Sequence, residues 1–346
     1  MKLGSKTIVL YVAVPLLAVL IAALVLPMIV QHRTSSLAAS LPANDALPEL
    51  RVIPKELLQY AQTGRIAVDL KRPVALAVGP EDRVYVTGSG GIRVYDPVPV
   101  MKIETSAVGT CIAVADDGRI YAGFTDHVEV YDALGKRLAT WASVPGRPYL
   151  TSIALSGQDV YLADSGNRIV WHCDMEGNVI GRIGGKDESR GVPGFVVPSP
   201  YFDVAIGHDG LLRVSDPGRH RIEAYTTAGD LEFFWGELGN APAEFCGCCN
   251  PVNFCLLKDG RVVTAEKGLP TVKVFEPDGD AHTRGRLQAV VAGPEQLADA
   301  NGRNAANAED QVCDVAVDSR GRVLVLDPFT SSVRIFVSAR EPVNVH

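Results

Sequence analysis

The sequence lacks any basic block. Its 33 lysines and arginines are interspersed with 40 aspartates and glutamates, giving a net charge of −7. That distribution argues against a nucleic-acid partner and against steering toward one polyanion. Gly-x-Ser-x-Gly, His-Glu-x-x-His and the phosphate-binding loop are also missing, so the common hydrolase and nucleotide chemistries have no support. Terminal capping repeats, which a solenoid would need, are not visible. Turn formers, by contrast, are plentiful: 33 glycines and 22 prolines in 346 residues of ordinary hydrophobic content. The length admits one large domain or two ordinary ones.

One long apolar run is present. Thr7–Val30 carries no charge and would span roughly 36 Å as a helix, enough to cross a bilayer. The apolar core of a cleaved signal peptide is shorter. Ala38-Ala39-Ser40 nevertheless offers a small-residue cleavage site, so anchor and signal both stay open, with the length favouring the anchor. Lys2 and Lys6 precede the run and Arg33 follows it. The positive-inside bias then puts the N-terminus in the cytoplasm and the body outside, in an oxidising compartment. The expected organisation is a cytoplasmic N-terminus at 1–6, a transmembrane signal anchor at 7–30, a tether at 31–60 with a short helix near Pro54–Tyr60, and a propeller at 61–340.

From residue 61 onward a pair of short strands recurs with a turn between them. Val74–Val78 precedes Arg83–Val86, and Cys111–Val114 precedes Arg119–Tyr121. Ser152–Leu155, Asp203–Ile206, Asn253–Leu256 and Asp314–Val317 open four more copies. Copies at such spacing, each rich in short strands, predict the four-stranded blades of an all-β, six-bladed β-propeller. Gly64–Val68 lies before the first copy and is placed to add the outermost strand to the last blade, closing the ring. The repeated Ile/Val-Ala-Val-x-x-x-Gly, Val-Tyr-Val-x-Asp and Arg-Ile/Val elements resemble the NHL family of six-bladed propellers over about residues 61–338. Cys-Cys-Asn-Pro, Glu266-Lys267-Gly268 and Val272-Lys273-Val274 are similar to a bacterial membrane-anchored or secreted subset. The resemblance is specific for fold and silent about activity.

Laid over one another, the first strands share two positions. One reads Ala77, Ala113, Ala154, Ala205, Cys255, Ala316 and implies close packing near the axis. Two residues earlier the register reads Ala75, Cys111, Ser152, Asp203, Asn253, Asp314, a polar ring on the channel. NHL-like and gluconolactonase-like propellers resemble each other at these positions. In the latter a divalent cation sits on the axis, so the resemblance implies Ca²⁺ or Mg²⁺ near Asp203, Asn253 and Asp314. The alternative is a water-lined channel with no ion.

The densest chemistry is Cys246-Gly247-Cys248-Cys249-Asn250-Pro251 with Cys255, four of seven cysteines. The segment Gly236…Gly239…Phe245…Pro251 entering blade 5 repeats the plan of Gly184…Phe195…Pro198 entering blade 4. That plan predicts Cys246, Cys248 and Cys249 at the channel mouth, Cys255 deeper, and Cys111 and Cys313 as further candidates; Cys173 stands apart. Three readings stay open. Cys246-x-x-Cys249 has dithiol spacing and would form a disulfide in an oxidising compartment. Four thiolates would hold an iron–sulfur cluster, although adjacent Cys248 and Cys249 strain that geometry. Zinc, with only one knuckle, ranks below another thiolate-bound metal. Arg219, His220 and Arg221, with Asp126-His127, Glu266-Lys267 and Asp327, suggest a charged rim; as the alternative, Asp164, Asp216 and Asp327 suggest turn caps. The long insertions 186–199 and 281–309 suggest lids.

The functional expectation is a membrane-anchored extracytoplasmic module, acting through interaction or redox chemistry on a protein partner at the membrane surface. The alternatives are a divalent-metal-dependent lactonase-like hydrolase and a structural scaffold stapled by disulfides.

Overall fold

The hairpins that open blades 4 and 5 turn on an aspartate and a glycine. Asp209 and Asp259 accept the backbone N–H two residues on, at 3.1 Å each. The glycines that follow, Gly210 and Gly260, take φ of +75° and +88°, a region that costs a side chain with a Cβ but not glycine. Alternating apolar residues then pair β-branched and aromatic side chains across the strands.

The computed structural model describes residues 53–277, 285–298 and 312–339. Among them, twenty-four strands form six four-stranded antiparallel sheets. The innermost strands are β2 (Arg72–Val78), β6 (Cys111–Val114), β10 (Leu150–Ser156), β14 (Val204–Ile206), β18 (Asn253–Leu256) and β22 (Asp314–Val317). They touch in that order, and β22 meets β2, so the ring closes. Closure is sealed as the sequence implied. β1 (Tyr60–Ala67) pairs with β24 (Ser332–Ser338), completing the sheet whose inner strands are β22 and β23 (Val323–Asp327). One blade is thereby built from both ends of the propeller, and the ring keeps no unpaired seam.

The core lies in the seams between blades. Tyr161, Phe195, Phe202, Leu212 and Tyr225 fill the seam of blades 3 and 4. Trp235, Phe245, Phe254 and Phe275 fill that of blades 4 and 5. A fully buried aromatic of this kind contributes about 2–3 kcal/mol, so each seam fixes the tilt of its neighbour.

Around Pro54–Tyr60 the expected helix is replaced by a turn at 55–57 and a parallel bridge from Leu58 to Val290. Segment 186–199 is an ordered connection: Asp187 bridges to Val192 and Arg190 pairs with Asp230 at 2.5 Å. The apolar run Thr7–Val30 and most of insertion 281–309 lie outside the described residues. No helix among the described residues is long and apolar enough to cross a membrane.

Candidate functional site

A cavity of about 650 Å³ follows the propeller axis and takes its walls from all six innermost strands. The polar ring is real, and most of its side chains are at work between blades. Ser152 Oγ lies 3.3 Å from both N and O of Val204 on the next blade. Asp203 accepts from the Phe254 N–H at 2.6 Å, one blade on. Asn253 Nδ2 donates to the Cys313 carbonyl at 2.9 Å, and Asp314 accepts from the Leu76 N–H at 2.7 Å. Four consecutive blades thus hand one side chain to the backbone of the next. These bonds satisfy amides and carbonyls of innermost strands that have no inner neighbour.

The two carboxylates pay for this position electrostatically. Burial raises Asp203 to about 6. Burial, and then the charge of Asp203, raise Asp314 to about 7. Burial also pushes the Cys111 thiol up to about 12 and Cys255 well above its usual range, with both aspartates adding to the effect. The axial thiols are therefore poor nucleophiles and poor metal ligands at neutral pH.

Three residues beyond the polar ring stands a feature that the sequence reading passed over. Val78, Val114, Leu155, Ile206, Leu256 and Val317, one from each blade, line the cavity and are all half-buried. The same overlay that found the polar ring contains this aliphatic ring. At the opposite end, where the innermost strands begin, Arg72, Tyr149 and Tyr201 edge the cavity.

The cysteine segment is not part of this lining. Of the seven cysteines only Cys111 and Cys255 line the cavity. Cys246, Cys248 and Cys249 are drawn to the seam of blades 4 and 5. His220 Nε2 donates to the Gly247 carbonyl at 2.9 Å. The fully buried Asn250 donates to the Cys246 carbonyl at 2.6 Å and to the Lys267 carbonyl at 3.1 Å, and accepts from the Lys267 N–H at 2.8 Å. The shared connection plan does hold: the Phe195 ring packs on Gly184 and the Phe245 ring on Gly236. What the plan did not convey is that His220 and Lys267 pin the loop.

Beneath the loop, Glu266 Oε1 and Lys273 Nζ form a buried ion pair at 2.5 Å, both nearly inaccessible. Cys246 Sγ lies 3.9 Å from Glu266 Oε2, and burial with that carboxylate raises its pKa. Cys313 is buried in the seam of blades 5 and 6, and Cys173 in that of blades 2 and 3. All seven cysteines are free.

These positions bear on the expected metals. Among the described residues no group of three or more His, Cys, Asp or Glu side chains is placed to hold an ion. A four-thiolate centre needs its sulfurs on one small sphere. Here Cys255 lies on the axis and Cys246 against Glu266, so the residues do not fit one. On the axis, Asp203 and Asp314 are two carboxylates without a third acidic or imidazole partner, and the Asn253 amide is turned to Cys313. That set does not match the oxygen cage of a structural Ca²⁺. The charges of the suggested rim are paired off. Arg219 pairs with Asp216 at 2.5 Å and Arg221 with Glu223 at 2.5 Å, while Asp126 and His127 pair with each other at 2.8 Å. Asp164, Asp216 and Asp327 do cap turns: each accepts the N–H three residues on, at 3.1, 3.3 and 3.2 Å.

No family model and no curated protein matches the chain. Among solved structures it is similar to a streptogramin B lyase (11% identity, TM-score 0.56, covering 82% of this chain and 99% of that one). It is also similar to virginiamycin B lyase from Staphylococcus aureus (10% identity, TM-score 0.55, 80% and 99%). A protein of unknown function from Bacteroides thetaiotaomicron aligns at 17% identity and TM-score 0.58, over 81% and 72% of the two chains. At these identities the likeness establishes the six-bladed propeller fold and nothing finer.

Proposed function

We propose that this chain is a membrane-tethered binding propeller that takes an amphipathic ligand into its axial cavity. The observation that carries the reading is the graded wall of that cavity. One end is edged by Arg72 and two tyrosines, the middle is a hydrogen-bonded polar ring, and the far end is a ring of six half-buried aliphatic residues. A wall of this kind orients a molecule with one polar and one apolar end. The tether rests on the charge-free Thr7–Val30 run, and it would keep the propeller at a membrane with its protein partners.

The cavity offers little to a hydrolase. Its hydroxyl at Ser152 is bonded to the backbone of Val204, no histidine or lysine lines it, and Asp203 and Asp314, raised into the range of a general base, are both engaged by backbone N–H groups. A catalytically inactive histidine-to-alanine variant of virginiamycin B lyase is known with quinupristin; this cavity has no histidine for such a role. The lactonase alternative would also need metal ligands beyond Asp203 and Asp314.

A medium-chain fatty acid tests the reading by calorimetry on the full chain in detergent, with Val114→Asp as the comparison. Binding by the wild type and about tenfold weaker binding by the variant, the effect of losing roughly 1.4 kcal/mol of apolar contact, are expected. Equal affinity for both proteins, or no binding to either, would sink the proposal. Turnover of a lactone that stops on chelation would replace it with the hydrolase reading.

A further inference from the structure

The cavity makes no use of the thiols at the seam of blades 4 and 5. Cys248 Sγ and Cys249 Sγ lie 3.1 Å apart. Their Cα atoms, about 3.8 Å apart across a trans peptide, are closer than in an ordinary disulfide, so a bond between them would be strained and readily reduced. Cys248 is exposed and Cys249 is 3% exposed. The backbone on either side is fixed independently of the sulfurs. His220 holds Gly247, and the Asn250 side chain ties Cys246 to Lys267. Because a carbonyl only accepts, His220 must carry its proton on Nε2 to make its bond. Gly247, at φ +82°, permits the reversal that presents the two thiols side by side.

We propose that Cys248 and Cys249 are a dithiol/disulfide couple that exchanges with disulfide oxidants at the surface of blade 5, independently of the axial cavity. Cys248 is the accessible member. As thiolate it attacks one sulfur of an oxidant R–S–S–R, and one R–S⁻ leaves and takes up a proton. The Cys249 thiolate then attacks Cys248 in the mixed disulfide. The Cys248–Cys249 bond forms and the second R–S⁻ leaves. Two protein thiols are oxidised, and one disulfide is reduced to two thiols. The pairing differs from the Cys246-x-x-Cys249 dithiol that the spacing suggested, because Cys246 is turned down onto Glu266. The charged groups facing the pair set the pace. The hydrogen bond to Cys249 and then burial hold the Cys248 thiol above its usual pKa, against the opposing charge of Lys267. Since the thiolate is the reactive form, exchange quickens as pH rises.

The experiment equilibrates the full chain in detergent with mixtures of reduced and oxidised glutathione, then alkylates and maps every thiol by mass. Cys248 and Cys249 are expected to lose alkylation together along one titration curve. Their shared peptide should be lighter by two hydrogens and carry no glutathione. Cys249→Ser is expected to trap glutathione on Cys248, and Cys248→Ser, at an exposed position, to leave Cys249 alkylatable. Three results would overturn the assignment: a Cys246–Cys249 link, a lasting glutathione adduct on Cys248 in the wild type, or both thiols staying reduced in the most oxidising mixture. Fatty-acid binding measured on the oxidised and reduced samples should be equal, so the two proposals fail or survive separately.

Discussion

The axis and the connection into blade 5 both combine buried carboxylates with cysteines, and they solve the resulting electrostatic problem in opposite ways. On the axis Asp203 and Asp314 are served by backbone N–H groups and have no cation, so burial and mutual repulsion raise them to about 6 and 7. At the seam Glu266 is equally buried, and burial raises it as well, but Lys273 at 2.5 Å opposes the rise. Their thiols differ accordingly. Cys111 and Cys255 are silenced by burial beside the axial carboxylates. Cys248, at the surface, faces Lys267, with the buried Cys249 sulfur beside it. Residue type alone therefore does not mark a site; the counter-charge and the access to solvent do.

The largest effect should come from breaking the seam pair. Glu266→Ala leaves Lys273 charged, 5% exposed and without its carboxylate. Removing one partner of a buried pair typically costs about 3–5 kcal/mol. Urea denaturation measures it. The double variant Glu266→Met with Lys273→Met should recover most of that loss, because two apolar side chains leave no stranded charge. A double variant as unstable as Glu266→Ala would show that the pair is not an electrostatic unit, and the contrast with the axis would fall.

Asn250 comes next. In blades 3 and 4 a turn carboxylate reaches up to the incoming connection: Asp164 accepts from the Tyr149 N–H at 2.9 Å and Asp216 from the Val196 N–H at 3.1 Å. In blade 5 the direction reverses, and Asn250 of the connection reaches down to the turn at Lys267. Asn250→Ala removes the acceptor of the half-buried Lys267 N–H and should cost about 1 kcal/mol. It should also free the loop, so that Cys249 alkylates faster than in the wild type while Cys111 and Cys255 stay unmodified. Unchanged alkylation of Cys249 would mean that the loop is held by something other than this amide.

The same reversal explains what could be read from sequence. The six blades, the closing strand at Gly64–Val68 and the polar ring were legible because they depend on a register that repeats along the chain. Ala75, Cys111, Ser152, Asp203, Asn253 and Asp314 occupy one position whatever the details of any blade. The course of the cysteine loop was not legible, because it depends on His220 and on Lys267, which lie 27 and 17 positions from their partners, and no repeat encodes those contacts. The aliphatic ring at Val78 and its five counterparts was legible and overlooked. Single aliphatic residues in strands read as core, and only their shared half-exposure marks them as a wall.

The smallest effect is the most direct test of the axis. Asp314 in the folded chain stands at about 7, against 3.8 unperturbed. Between those values the folded state keeps a proton that the unfolded state has released. Stability from this carboxyl is therefore present at low pH, declines as pH rises through the folded value, and is flat above it. Across pH 6 to 8 the decline should be about 1 kcal/mol. Asp314→Asn keeps an acceptor for the Leu76 N–H and cannot ionise. The difference in unfolding free energy between wild type and variant should thus shift in favour of the variant as pH is raised from 6 to 8. Glu266 serves as the internal contrast, because its charge is met by Lys273 rather than by amides alone. If the wild type and Asp314→Asn follow parallel curves over that range, the axial carboxylate has a counter-charge after all, and the axis and the seam would be alike.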